Sequence, residues 1–246
     1  MSAAERFVEL HQGGCCVMPN PWDVGSAKLL ADAGFEALAT TSSGFAQTLG
    51  RKDGGATLPE LLDHVSAITE AVALPLSVDL ENGGDDPAAA ITQVAGAGAV
   101  GASIEDWDPA DGMYGVDQAV KRLTAAVSAA RSLDFPFTLT ARAENHIRGN
   151  PDLDDTIARL QAYEAAGADV LYAPGLDSAD HIRAVCEAVS LPVNVLAWPD
   201  LTLEAIAGAG ARRVSVGGSL AWVAVRAAKE AAKRLAEGDL SALKAD

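Results

Sequence analysis

Three observations in the sequence predict a closed (β/α)8 (TIM) barrel. Eight short β-type runs alternate with amphipathic helical runs from one end of the 246-residue chain to the other. Glycines stand where the helices should stop, at Gly34, Gly98, Gly167 and Gly210. Prolines open several of the strands that follow, at Pro75, Pro136 and Pro192. The reading is a single barrel domain over residues 1–246, with no linker or low-complexity stretch. A doubly wound open sheet is the alternative. It usually carries a glycine-rich turn after its first strand, and here that turn reads Pro19-Asn20-Pro21-Trp22.

In chain order, the first strand is read at Cys15–Pro19 and its helix at Asp23–Ala33, stopped by Gly34. The second strand, Ala37–Ser42, runs into a hydroxyl- and glycine-rich segment before the helix Leu58–Val72. Strand three is Leu76–Glu81 and its helix Pro87–Ala97, with proline at the first helical position. Strand four, Val100–Asp106, precedes the helix Val116–Leu133; strand five, Phe137–Glu144, precedes Leu153–Ala166. The last three strands are Asp169–Pro174, Val193–Trp198 and Arg213–Gly217. Their helices are Ala179–Val189, Leu203–Ala209 and a terminal run over roughly Ser219–Glu237.

Composition narrows the function. Apolar residues make up 49% and aromatics 5%, so Ala, Val and Leu must pack the core, which suits helices laid on strands. A formal charge of −16 argues against nucleic acid and against anionic membranes. It also means that an anionic substrate must find a local positive centre. Three cysteines supply no disulfide framework and read as reduced thiols. Glu5, Arg6 and Glu9 stand where a signal peptide needs an apolar run, and no segment is long enough to span a bilayer. A cytoplasmic protein is expected.

Barrel enzymes draw their chemistry from strand C-termini and the loops beyond them. Strand three ends Val78-Asp79-Leu80-Glu81, and alternation places Asp79 and Glu81 on one side. Glu105 closes strand four at a similar level. Three carboxylates in an apolar mouth repel one another, and a hard cation such as Mg²⁺, with Mn²⁺ as the alternative, resolves the conflict. The competing reading has these acids capping helices or pairing with arginines, and that is the preferred one for Asp106. Strand five ends Thr140-Ala141-Arg142-Ala143-Glu144. Arg142 suits bidentate capture of a substrate carboxylate, or else an internal ion pair, while Glu144 supports the arginine or the metal's water shell.

The Thr40–Gly44 segment offers donors to an anion or enolate oxygen, and the run from Gln47 to Gly55 reads as a mobile lid or a plain exposed loop. No lysine falls on a strand, which argues against a Schiff-base aldolase. The Val216-Gly217-Gly218-Ser219 turn reads either as a phosphate cradle or as close helix packing.

Taken in order, these pieces resemble the isocitrate lyase/phosphoenolpyruvate mutase superfamily. The segments that carry the resemblance are Pro19-Asn20-Pro21-Trp22-Asp23, Thr40–Gly44, Leu49-Gly50-(x)2-Asp53, Val78–Glu81, Gly101–Asp106 and Thr140–Glu144. The resemblance implies a barrel of the phosphoenolpyruvate/pyruvate-domain type and a Mg²⁺-dependent enzyme acting on 2-oxo acids. It implies Asp79, Glu81 and Glu105 as the metal set, Arg142 as the carboxylate clamp, and the backbone of Thr41, Ser42 and Ser43 as oxyanion donors. Glu144 joins the substrate site, and Asp53 corresponds to the lid aspartate of the mutase and decarboxylase branches.

The resemblance also implies a homo-oligomer, dimer or tetramer, whose C-terminal helices at about 219–238 are exchanged between subunits. Arg51-Lys52-Asp53-Gly54-Gly55 lacks the lid cysteine of true isocitrate lyases, and Glu81 replaces the mutase's second aspartate. The resulting expectation is a lyase that breaks a C–C bond or decarboxylates a small 2-oxo acid through a metal-stabilised enolate. P–C chemistry on phosphonopyruvate or phosphoenolpyruvate, as mutase or hydrolase, is the alternative. A 2-oxo acid binding protein with little catalysis is the other.

Overall fold

The computed structural model describes residues 1–244; positions 245–246 of the predicted domain lie outside the described residues. Ten strands are present: β1 (Cys16–Met18), β2 (Leu38–Ala39), β3 (Leu76–Asp79), β4 (Gly101–Glu105), β5 (Trp107–Asp108), β6 (Gly112–Met113), β7 (Thr138–Arg142), β8 (Val170–Tyr172), β9 (Val193–Leu196) and β10 (Arg213–Ser215). Eight of them form one parallel sheet in the order β1-β10-β9-β8-β7-β4-β3-β2, the sequential order of a (β/α)8 barrel. β1 and β2 share no ladder, but the Ala39 N–H donates to the Pro19 carbonyl at 3.1 Å and ties the seam. The barrel is nearly closed.

The seam depends on one side chain in the Pro-Asn-Pro turn. Asn20 donates from Nδ2 to the Thr40 carbonyl, while its Oδ1 accepts from the Val216 and Gly217 amides at 2.8 and 2.9 Å. A buried amide thus joins the ends of β1, β2 and β10. Those bonds also engage the amides that the phosphate-cradle reading of the Gly217 turn needed.

Helix boundaries follow local chemistry. Asp23, Thr57, Asp86, Asp152, Ser178 and Thr202 each accept a backbone N–H at a helix start. At the other end, Gly98 adopts φ +95°, and a Cβ there would sit 2.9 Å from Thr69 Oγ1. The main core lies between the sheet and its helices, built from Leu38, Ile68, Leu76, Ile91, Leu139, Leu160 and Leu171 among others. An N-terminal helix, Ala3–Leu10, which the sequence reading lacked, closes the lower end of the barrel. Its Phe7 packs with Met18, Ala37, Ala39 and Val100, close enough that a Cβ on Gly101 would meet the ring at 2.9 Å.

Three local expectations change. Strand two shrinks to Leu38–Ala39, because Thr41 caps a helix that starts at Ser42 and runs to Thr48. Strand three stops at Asp79, and Glu81 takes φ +52°, the only non-glycine residue with positive φ among those described. Asp79 and Glu81 are therefore not partners in one strand's alternation. A small antiparallel hairpin, β5–β6, rises from the end of β4. Beyond β10 the helix Ser219–Ala236 buries only Ala221, leaving Trp222 and Val223 exposed. No helix among the described residues is long and apolar enough to cross a membrane.

Candidate active site

The C-terminal ends of β3, β4 and β7 bring the predicted acids together around Arg142. Parallel register sets Asp79 beside Ser103 and Glu105 beside Arg142. Although Glu81 has left the strand, its carbonyl accepts from the Glu105 N–H at 2.9 Å, which keeps the two residues side by side. Asp79 is held by the Ser42 N–H (3.1 Å) and the Glu81 N–H (3.4 Å), while its own amide donates to Thr40 Oγ1. Arg142 Nη1 stands 3.2 Å from Glu105 and 3.8 Å from Asp79, and its Nε donates to Glu144. Its guanidinium lies over the Tyr172 ring. The internal ion pair, weighed against the clamp for Arg142, is thus the arrangement present. No three His, Cys, Asp or Glu side chains among the described residues form a ready-made metal cluster.

The electrostatics are tense. Burial, then Asp79 and Asp53, pushes the Glu81 carboxyl up to about 7. Burial likewise raises Glu105 well above the carboxylate range; Arg142 opposes this, and Glu144 and Asp79 reinforce it. Burial alone would lower Arg142, but Glu105 and Glu144 hold its proton far more firmly than in water. A hard divalent cation fits this oxygen-only donor set, since its charge would offset both the burial and the mutual repulsion that lift Glu81 and Glu105.

Beside these acids lies a cavity of about 430 Å³, lined by Asp53, Glu81, Glu105, Asp108, Lys52, Arg142 and Arg148 among others. A more apolar chamber of about 170 Å³, with Phe45, Leu58, Leu61 and Leu80, adjoins it through Ser42, Gly54, Glu81 and Asn82. Of the three predicted oxyanion donors only Ser42 lines these spaces, and its N–H is engaged by Asp79. The Thr41 hydroxyl caps the Gly44 amide, and Ser43 Oγ accepts from the indole of Trp222. The Thr41 and Ser43 hydroxyls are therefore engaged in local contacts.

Asp53 reaches the cavity rim in a loop pinned by its neighbour: Arg51 makes a two-pronged pair with Glu60 at 2.8 and 2.9 Å. Glu144, fully buried, braces Arg142 and Arg148. Asp106 follows its structural reading, accepting from the Glu144 N–H (2.7 Å), Arg159 (3.0 Å) and the Tyr163 hydroxyl. Sequence reasoning overlooked Asn82, Trp107, Asp108 and Arg148. Asn82 and Tyr114 converge on Asp108 at 2.7 and 3.1 Å, which ties the hairpin to the loop after β3. The Asp-Pro-Ala-Asp-Gly run at 108–112 was the available turn signal.

The family model described as phosphoenolpyruvate phosphomutase matches residues 7–236. A crystal structure of a provisionally named lyase/mutase from Burkholderia cenocepacia J2315 is 52% identical. It covers 95% of this chain and 87% of its own, with a TM-score of 0.91. An oxaloacetate decarboxylase of Paraburkholderia xenovorans (strain LB400) is 30% identical over 94% of this chain and 81% of its own. Oxaloacetate acetylhydrolase, solved with its product oxalate, is 25% identical, covers 100% and 90% of the two chains, and superposes with a TM-score of 0.90.

Proposed function

The chain belongs to the phosphoenolpyruvate phosphomutase family, and from that premise we propose that it is a lyase cleaving a C–C bond of a small 2-oxo acid. The observation that carries the reading is the gathering of Asp79, Glu81 and Glu105 around Arg142 at the edge of a 430 Å³ cavity. The relatives act on this chemistry by name: one is an oxaloacetate decarboxylase, another an oxaloacetate acetylhydrolase.

Asp79, Glu81 and Glu105 would hold Mg²⁺, or Mn²⁺ in its place. When bound, the cation supplies Lewis-acid stabilisation of negative charge developing on substrate oxygens. The chain's own groups do the rest. Arg142, fixed by Glu144 below it, presents a permanent positive charge to the substrate carboxylate at the cavity wall. Ser42, at the junction of the two chambers, orients the bound acid. Cleavage next to the carbonyl leaves the bonding electrons on the carbon alpha to it, and Asp53 on the rim handles the proton that this carbon then takes up. Closure of the 47–55 segment over the mouth keeps bulk water out.

The same proposal places the enzyme in the cytoplasm as a homo-oligomer, dimer or tetramer, whose Ser219–Ala236 helix crosses to a neighbour; a helix that buries one alanine argues for a partner.

Pyruvate release from oxaloacetate, followed with and without EDTA, tests the reading. Turnover is expected to stop with the chelator and to return with Mg²⁺. Turnover indifferent to chelation removes the metal role. Activity confined to phosphonopyruvate transfers the site to P–C chemistry. Ligand binding without turnover, unchanged by Asp53→Ala, makes it a binding protein.

A further inference from the structure

Arg148 stands at the cavity with only its Nε committed to a hydrogen bond. Its Nε donates to Glu144 at 2.8 Å, and Nη2 lies 3.7 Å from Glu105, beyond hydrogen-bond distance. Among the described residues its two terminal nitrogens make no hydrogen bond, although the side chain lines the 430 Å³ cavity. The guanidinium carbon stands over the Trp107 ring, 3.6 Å from its centre, so the ring restricts the guanidinium before anything binds. Arg142 is more heavily countered, with Glu105, Glu144 and Asp79 all within 4 Å, against Glu144 and Glu105 for Arg148. Lys52 is the remaining cation on the cavity, and it sits exposed in the loop beside Asp53.

We infer that Arg148, stacked on Trp107, selects substrates that carry a second carboxylate distal to the 2-oxo acid end. This rests on the proposed reading of the site as one for 2-oxo acids, and adds the residue that would tell a 2-oxo dicarboxylic acid from a monocarboxylic one. A planar fork with free N–H groups, held by a ring on one side and a buried carboxylate on the other, matches a carboxylate bidentately. The chain's net charge of −16 gives a dianion no general attraction, so a local positive centre must supply it. Arg148 is one-third exposed, which leaves it open to a ligand entering from the mouth.

The test measures binding by calorimetry to the full-length protein with Mg²⁺ present, using two probes. Oxalate mimics the enolate end alone; 3,3-difluorooxaloacetate carries the distal carboxylate as well. Arg148→Gln is expected to weaken the four-carbon probe about 30-fold, the range for a hydrogen bond to a charged group, and to leave oxalate within about 2-fold. Arg148→Lys should recover part of the loss. Trp107→Ala, which keeps the charge but frees its orientation, should cost the four-carbon probe about 5-fold and oxalate nothing.

Equal weakening of both probes by Arg148→Gln overturns the inference, because it makes Arg148 a structural prop for Glu144. So does an unchanged four-carbon affinity while oxalate still binds. If the unmodified protein fails to bind oxalate with Mg²⁺, the 2-oxo acid reading itself falls and the inference falls with it.

Discussion

Two arginines enter the same barrel and meet opposite surroundings. Arg142, at the upper end of β7, stands within 4 Å of Glu105, Glu144 and Asp79. Arg213, at the lower end of β10, is buried with a single hydrogen bond, from Nη1 to Thr140 Oγ1 at 3.2 Å, and no acidic partner among the described residues. Burial drives its pKa down to about 10, whereas the acids around Arg142 drive that one up. The upper charge is the hub of a crowded carboxylate cluster; the lower one is a tolerated expense of the floor. The contrast separates charge that organises a site from charge that merely occupies a core.

The largest expected effect comes from breaking the upper hub. Arg142→Met leaves Glu144, which is fully buried, with only Arg148, and leaves Glu105 with a more distant guanidinium. Removing one partner of a buried ion pair typically costs about 3–5 kcal/mol. Thermal unfolding should therefore move down by several degrees, and the proposed turnover should fall by about 10²–10³-fold, the loss expected when oriented charge at a reacting centre is removed. A variant that folds as stably as the parent would show that the acids around Arg142 are neutral without it.

The upper half of this contrast was legible in the sequence, and the reasons are local. The helix expected at Leu58–Val72 is observed at Leu58–Ala71, because a capping threonine and a 3.6-residue apolar period fix it without tertiary help. The strand ends carrying Asp79, Glu105 and Arg142 were equally readable, since a barrel places such ends at one mouth. What escaped depended on contacts distant in sequence or on unusual backbone. Arg148 matters through Trp107, which lies on a hairpin of two-residue strands too short to show alternation. Glu81 left the expected strand through a positive φ that propensity does not announce in a glutamate. The Thr40–Ser43 hydroxyls looked like ligand donors, yet Thr41 and Ser43 act on a helix start and on Trp222.

The floor carries its own titration. His11 is buried with Nδ1 on the Phe7 carbonyl at 2.8 Å, and burial together with Arg213 depresses its pKa to about 4. The unfolded chain binds that proton near pH 6.5, so the folded state is undisturbed above this pH. Between about 6.5 and 4 the unfolded state is protonated and the folded state is not, and stability is lost as pH falls. The full loss is on the order of 3 kcal/mol, reached near pH 4. His64, stacked on Phe45 and also depressed to about 4, adds a parallel loss on the same limb. Urea midpoints from pH 7 to pH 4 should show His11→Leu with a visibly shallower acid limb. An unchanged slope would mean that His11 already titrates normally in the fold.

The smallest effect is the most discriminating. Arg213→Met takes a buried charge out of the barrel interior, where it has no acidic ion-pair partner among the described residues, so the desolvation burden is lifted while one hydrogen bond is lost. That bond leaves the buried Thr140 hydroxyl short of a donor, a penalty of about 1–3 kcal/mol that offsets most of the gain. The net change should lie within about 1 kcal/mol of zero, as found when buried charges give way to apolar side chains of similar reach. The same substitution removes one of the two causes holding His11 down, so the folded pKa should move back toward 6.5 and the loss of stability below that pH should be smaller. Stability unchanged at pH 7 with a flatter acid limb separates Arg213 cleanly from Arg142. A drop of several kcal/mol at pH 7 would erase the distinction, because it would require Arg213 to answer an anion on the floor as Arg142 answers the acids at the mouth.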